Sequence, residues 1–345
     1  MSTLPLRKYT KSFGFYMGTN KDFFLENAEL LEKTRWQNQI YREQPKRERC
    51  KLCGEALPAN PDLRTGGIDY CFCVNCGHFN GGHQDTETFV RRIYLDDKTY
   101  SARYTGVDFE SRAKDIYYPK ADFLRQNLPS GGVSVLDIGC GGGYFVYACL
   151  QNNIPAEGFD LSRSAVEFGN FHIDQRTGKR PLRTALESDF YEIIINSKAT
   201  VLSVIGVIEH LREPQKFFDA FERSGIRYLF YSVPMFSSTV LVENVFKDVF
   251  PRQLGADHTH LFTEESIGWM HQNMRWQSIA EWRFGTDVMD LYRSILLMLH
   301  KSGASDKVTG LFTRHFGDGV GEMQAVLDSR HFCSEIHCLV QKKGL

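Results

Sequence analysis

Apolar residues in this chain gather in short dense runs separated by polar, turn-rich stretches. Val135 to Ile138, with Asp137 inside it, Ala199 to Ile205, which is almost continuously apolar, and Arg227 to Pro234 have the pattern of strands covered on both faces of a parallel sheet. Ala156 to Asp160, Leu182 to Leu186, Arg275 to Phe284 and His331 to Lys343 read as further strands. Between them apolar residues recur every three or four positions. Tyr144 to about Asn152 is one such helix, and Asp287 to His300 is another, with Val288, Leu291, Tyr292, Ile295, Leu296 and Leu299 on one face. Thr263 is placed to cap a helix whose first turn carries Glu264 and Glu265. Strands alternating with helices predict an α/β fold with an open, mostly parallel sheet. Upstream the pattern is weaker. A helix is expected from Asp22 to about Ile40, with Phe24, Leu25, Ala28 and Leu31 as a short apolar stripe.

Composition changes little in this picture and narrows the function. The 345 residues suffice for one large domain and a small module, and 42% apolar with 24% charged residues is ordinary for a globular chain. A formal net charge of −1 argues against a broadly basic nucleic-acid surface. No apolar run is long enough to span a bilayer, and the N-terminus lacks the apolar stretch of a secretion signal. Nine cysteines without such a signal point to a reducing, cytoplasmic setting.

Five of those cysteines crowd between positions 50 and 76. Cys50-Lys-Leu-Cys53-Gly and Cys73-Val-Asn-Cys76-Gly are two tight knuckles separated by 19 residues. Each aims two thiolates at one point, so Cys50, Cys53, Cys73 and Cys76 form a tetrahedral zinc site with no open position, structural rather than catalytic. Cys71 falls outside the knuckle spacing and reads as a spare thiol.

The run Val135-Leu-Asp-Ile-Gly-Cys-Gly-Gly-Gly143 joins a buried strand to a helix through a glycine turn. Position 144, where a dinucleotide fingerprint keeps a small residue, is Tyr144. Asp160 ends the next strand, 21 residues beyond Gly139, where a carboxylate accepts from ribose hydroxyls. No P-loop lysine accompanies the turn, which suits an adenosine ligand without phosphates. Asp137 can order the glycine loop or reach the ligand's ammonium through water. Leu186, Glu187 or Asp189 should approach the adenine.

With its inserted acid and four glycines, this stretch resembles motif I of class I S-adenosylmethionine (SAM) methyltransferases. The resemblance implies a Rossmann-like, seven-stranded sheet with an N-terminal zinc ribbon and helical insertions. It also implies cofactor contacts from Asp137, Gly139, Cys140, Gly141, Gly143, Tyr144, Asp160, Leu161 and Gly206. The expected organisation is an N-terminal helical extension (1–48), the ribbon (49–84), a helical connector or cofactor lid (85–130) and the catalytic domain (131–345). Within the last lie a substrate loop (235–262) and a helical insertion (285–330) that covers the acceptor site or forms a dimer contact. Tyr100, Tyr104 and Arg112 of the connector are placed to reach the methionine end of SAM or the acceptor, or else to pack against the ribbon.

Gly206-Val-Ile-Glu209-His210-Leu-Arg-Glu-Pro214 is similar to the post-strand-four signature of ubiquinone-biosynthesis-like and sugar-modifying methyltransferases. It makes His210 a candidate base, supported by Glu209, at the carboxyl edge where ligands sit. Asp257-His-Thr-His260 is similar to a segment of zinc-binding sugar C-methyltransferases in which a tyrosine, a glutamate and a histidine surround the sugar and the histidine serves as base. Only His260 carries over, since Asp257 and Thr259 replace the other two, so transfer to a sugar hydroxyl is expected ahead of transfer to carbon. A second metal site from Asp257, His258 and His260 is the alternative use of these groups. The acceptor expected is a nucleotide-linked sugar or glycan of polysaccharide or secondary-metabolite biosynthesis. The rivals are RNA methylation with the ribbon holding RNA, and a SAM-binding partner protein without catalysis.

Overall fold

The computed structural model describes residues 5–11, 23–95, 108–129, 132–255 and 258–343. Twelve strands are described: β1 (Leu6–Tyr9), β2 (Leu63–Thr65), β3 (Ile68–Phe72), β4 (Phe79–Gly81), β5 (Val135–Ile138), β6 (Ala156–Asp160), β7 (Leu182–Thr184), β8 (Val201–Ile205), β9 (Tyr228–Pro234), β10 (His260–Leu261), β11 (Trp276–Phe284) and β12 (Glu335–Lys342). The large sheet has eight strands in the order β1-β11-β12-β9-β8-β5-β6-β7. From β9 to β7 every pairing is parallel, and β12 runs antiparallel between β9 and β11.

The continuously apolar runs form the middle of this sheet, as expected, because both faces are covered. Every residue of β5 and β9 is buried. The helices Tyr144–Gln151, Arg163–Thr177, Glu187–Asn196 and Pro214–Arg223 supply the cover. The sheet exceeds the expected seven strands by β1, which pairs in parallel with β11. Its Leu-Arg-Lys-Tyr sequence has three exposed residues and carries no burial pattern. It is held instead by tertiary contacts, with the Lys8 ammonium 3.8 Å over the Trp282 ring and the Trp282 indole N–H donating to Thr10 O at 2.8 Å.

A second sheet has the order β10-β4-β3-β2. Its outer strand β10 comes from the segment expected to be a substrate loop: His260 pairs with Asn80 and Leu261 with Phe79. The cysteine module is therefore completed by residues some 180 positions downstream. It is not a pendant domain. Cys50, Leu52, Cys73 and Cys76 share one apolar cluster with Leu136, Phe217 and Phe262 of the large domain.

The helix Phe23–Arg42 also packs differently from expectation. Ala28 is exposed, Leu31 is half-buried, and the side chains of Phe24 and Leu25 lie outside those described. The buried face is Gln37, Asn38, Ile40 and Tyr41 in the last turns, packed on Ile68, Tyr70 and Phe79. A stripe read by periodicity does not reveal which end of the helix meets a partner. The Thr263 cap is present: its hydroxyl accepts from Ser266 N at 3.0 Å and donates to Gly77 O at 3.1 Å. That second bond fastens the helix Glu264–Asn273 to the second cysteine knuckle.

Candidate functional site

The turn after β5 is shaped by packing as much as by any ligand. Gly139, Gly141 and Gly143 all have positive φ. A Cβ on Gly139 would stand 2.5 Å from Val207 Cγ2, and one on Gly143 would stand 2.4 Å from Leu182 Cδ1. The turn is closed by Asp160, whose carboxylate accepts from Gly141 N at 2.7 Å and from Ser162 N at 2.8 Å. Each carboxylate oxygen keeps further lone-pair capacity, which suits a ribose diol. Asp137 is buried in β5, accepts from the Ser203 hydroxyl at 2.5 Å, and is pushed up to about 7 by desolvation. It lies beneath the turn rather than on its open side.

Two leucines complete this edge. Leu161 follows β6 and is 43% exposed, and Leu186 follows β7 and is 68% exposed. Large apolar side chains left open at adjacent strand ends are suited to the faces of a flat base. Tyr144 is stacked against Phe109 (4.7 Å) and Tyr117 (5.4 Å), with the Arg112 guanidinium 5.2 Å above its ring. Arg112 Nε is buried without a hydrogen-bond partner, a donor at the glycine turn that a ligand carboxylate would satisfy. These residues fit an adenosine carrying an amino-acid tail. Tyr100 and Tyr104, named above for the same end, lie outside the described residues.

Beside this edge, at the carboxyl ends of β8, β9 and β11, is a cavity of about 220 Å³. Gly206, Glu209, Ser232, Arg252, His258 and Glu335 are among its lining residues. Gly206, with φ of +67°, turns β8 into the short helix Ile208–His210 that presents Glu209 and His210. Glu209 is 5% exposed, its Oε2 has no hydrogen-bond partner, and burial raises its carboxyl to about 8. His210 Nε2 lies 4.0 Å from Glu209 Oε1, and its ring centroid is 5.4 Å from that of His258.

The His258 ring is oriented by a contact of 3.1 Å between Nδ1 and Gln253 O. A carbonyl only accepts, so Nδ1 carries the proton in the neutral ring and Nε2 is the basic nitrogen. The histidine that lines the cavity is thus His258, which the sequence suggested only as a metal ligand. Its signal was confined to an imidazole near the end of a long loop.

His260 is placed otherwise. It is 1% exposed on β10, its Nδ1 lies 2.8 Å from His78 Nε2, and it is not among the residues lining the cavity. Desolvation, with Lys51 next in effect, holds its pKa well below the usual histidine range. Strand pairing with β4 carries it into the ribbon interface, so the base expected there is sealed behind the cavity wall. Of the metal grouping Asp257, His258 and His260, Asp257 lies outside the described residues and His260 faces His78 rather than His258. Instead, Glu209, His210 and His258 bring their ligating atoms within 4.8 Å of one another. Lys120 was also illegible in the sequence. Its ammonium is buried near Glu335 and Asp137, and desolvation lowers its pKa to about 8.

The four knuckle cysteines come together as spaced. Their sulfurs lie within 4.8 Å of one another, with Cys50–Cys76 at 3.6 Å and Cys53–Cys73 at 3.4 Å. Gly54 and Gly77 adopt positive φ just after each knuckle. Asn80 Nδ2 approaches Cys50 Sγ at 3.5 Å. Four converging sulfurs with an amide donor beside them fit a closed zinc site. Cys71 is buried in β3 outside this set.

Comparison with known proteins gives concordant findings. A family model described as a methyltransferase domain matches residues 104–279, just over half of the chain. The ubiquinone biosynthesis O-methyltransferase of Coxiella burnetii is 25% identical over 96 residues, 27% of this chain and 39% of that protein. The protein of the same description from Ralstonia nicotianae is 26% identical over 102 residues, 28% of this chain and 40% of that one. The match thus spans about two fifths of these relatives' length. Among solved structures, magnesium protoporphyrin IX methyltransferase from Synechocystis, with bound S-adenosylhomocysteine, aligns over 75% of this chain and all of its own at TM-score 0.46 and 14% identity. A SAM-dependent methyltransferase from Geobacter sulfurreducens aligns over 65% and 91% at TM-score 0.39 and 14% identity.

Proposed function

The chain belongs to the class I SAM-dependent methyltransferases, and from that membership we propose that it methylates a sugar hydroxyl of a nucleotide-linked or glycan acceptor. The observation that carries the proposal is the cavity beside the cofactor edge, with a basic imidazole nitrogen and a buried carboxyl on its wall. SAM, when bound, supplies an electrophilic methyl group. The protein then needs to hold a hydroxyl in line and accept one proton. His258 Nε2 is the proposed acceptor, with His210 beside it, and Glu209, which burial keeps mostly protonated near pH 7, is proposed to donate a hydrogen bond to the acceptor sugar. Arg252, Gln253 and Glu335 offer the polar contacts a sugar requires. Asp160, Leu161 and Leu186 are proposed to hold ribose and adenine, and Arg112 the carboxylate of the methionine tail.

This reading shifts the base from His210 or His260 to His258. Transfer to an oxygen remains the preferred chemistry, because one base suffices and no enolate need be stabilised. The test is methyl transfer to a panel of nucleotide-linked sugars by His258→Ala and His260→Gln, with calorimetry for SAM. Expected is a fall in turnover of about 10²- to 10⁴-fold for His258→Ala with unchanged SAM affinity. Full turnover in His258→Ala sinks the assignment. No turnover of any sugar by the wild-type chain, with SAM still bound, sinks the acceptor class.

The partnerless Glu209 oxygen favours a second reading, in which Glu209, His210 and His258 share a divalent cation that orients the acceptor oxygen. Turnover that survives chelation at constant ribbon zinc content overturns it.

A further inference from the structure

A larger cleft lies on the other side of the loop that carries His258. It measures about 420 Å³ and is bounded by the helix Phe23–Arg42, the β2–β3 turn and residues 243–255. We propose that this cleft binds a nucleoside diphosphate.

Charge is the first support. Arg35, Arg42, Arg64 and Lys247 stand around the cleft, in a chain whose formal net charge is −1. Three acids accompany them, of which Asp248, near Arg35, is held by Lys301 at 2.5 Å. Asp69 holds Arg64 at 2.6 Å, and Glu243 is committed to the backbone, accepting from Gln253 N at 2.7 Å, Leu254 N at 3.0 Å and Arg252 N. The surplus is cationic, as an anion of two or more charges requires.

The floor supplies the second support. Asn38 is 5% exposed, and its Oδ1 is buried without a hydrogen-bond partner. An amide oxygen in that state calls for a donor. Pyrophosphate near neutral pH is mostly ionised and is a poor donor, whereas the sugar and base of a nucleotide carry O–H and N–H groups. The cleft is also kept open by its backbone. Gly66 and Gly67 turn at positive φ, and a Cβ on either would stand 2.5 Å from Asn38 Nδ2 or 2.9 Å from Arg42 Nη1. The volume lies within the range that accommodates small ligands.

The third support is adjacency to the acceptor cavity. Pro251, Leu254 and Gly255 face the cleft, while Arg252, Gln253 and His258 face the cavity. One loop wall, pinned by Glu243, separates them. That the cleft takes the nucleotide half of the acceptor rests on the methyl-transfer reading above; the binding itself does not.

The test is calorimetry on the zinc-loaded full chain, with SAM present, against UDP, dTDP, GDP, CDP and pyrophosphate. Expected is binding of at least one nucleoside diphosphate at least tenfold tighter than pyrophosphate. Arg42→Glu and Lys247→Glu, both at exposed positions, should each weaken it at least tenfold, and Asn38→Ala should remove the advantage over pyrophosphate. Failure of all four nucleotides to bind, wild-type affinity in both charge-reversal variants, or equal binding of pyrophosphate overturns the proposal. SAM titrations of the same samples keep the two readings apart. Retained SAM binding without nucleotide binding counts against the cleft alone.

Discussion

The cofactor edge and the acceptor side meet at Gly206 but are built in different ways. The two carboxylates of the cofactor edge are satisfied within the fold, Asp137 by Ser203 and Asp160 by the amides of Gly141 and Ser162. On the acceptor side, Glu209 Oε2 is buried without a partner at the cavity, and His260 Nε2 and His78 Nδ1 are unpaired in the ribbon interface behind it. The cofactor edge draws on residues 137 to 206 and on adjacent parallel strands. The acceptor side joins the ribbon to a loop far downstream, through the His78–His260 contact and the Thr263–Gly77 bond. The cofactor turn is braced by carboxylate–amide bonds before its ligand arrives, with Arg112 Nε left over for the ligand's tail, whereas the cavity keeps one Glu209 oxygen for what binds there. The two regions should therefore fail separately.

The largest effect is expected from the ribbon metal. Binding at four thiolates is worth on the order of 10 kcal/mol of folding free energy to such modules. Cys76→Ser should lower the melting midpoint by more than about 10 °C and abolish methyl transfer, while SAM binding at low temperature stays within about threefold of wild type. Parallel collapse of SAM affinity would show the two regions to be one cooperative unit. Next comes Asp160→Asn, which removes a charged acceptor from both the loop and the ribose. SAM affinity should fall about 30- to 100-fold, or about 2–3 kcal/mol, with the melting midpoint shifted by only a few degrees. An unaltered calorimetric Kd would remove Asp160 from the cofactor site.

Acid should discriminate the regions more gently. His260 is held neutral by burial, so below about pH 6.5 the unfolded chain binds a proton that the folded chain refuses. Stability is therefore full above that pH and declines as pH falls, by about 1.4 kcal/mol per unit for one such histidine. Urea unfolding at pH 7.0 and 5.5 should show a smaller loss for His260→Gln than for wild type; identical slopes would mean that His260 is protonated in the fold. The smallest effect is assigned to Leu186→Ala. Its exposed side chain stabilises little in the apo protein, yet its loss should weaken SAM about three- to tenfold, corresponding to about 1 kcal/mol of apolar contact. A wild-type Kd would indicate that the adenine lies elsewhere.

The cofactor edge was legible because its chemistry is local. A buried strand, a glycine turn and an acid at the next strand end are separated by one helix, and parallel pairing of β5 with β6 brings them together in a register their spacing implies. The cysteine knuckles were legible for the same reason, each being a tight turn. Short-range patterning also placed the central strands and the Thr263 cap within a few residues.

The acceptor side was not legible, because long-range pairing decides which way each histidine faces. His258 and His260 are two residues apart in the same segment, and the resemblance favoured His260 as the base. Pairing of β10 with β4 pulls His260 into the ribbon interface, and the Gln253 carbonyl sets the ring of His258 at the cavity. The eighth strand and the packing end of the first long helix were hidden likewise, since neither carries a burial pattern of its own. Sequence alone determined the methyltransferase fold, the central strand pattern and the converging cysteine cluster, through residues whose geometry is fixed by their near neighbours. Only the tertiary structure decided which imidazole lines the cavity, because that depends on a strand pairing across some 180 residues.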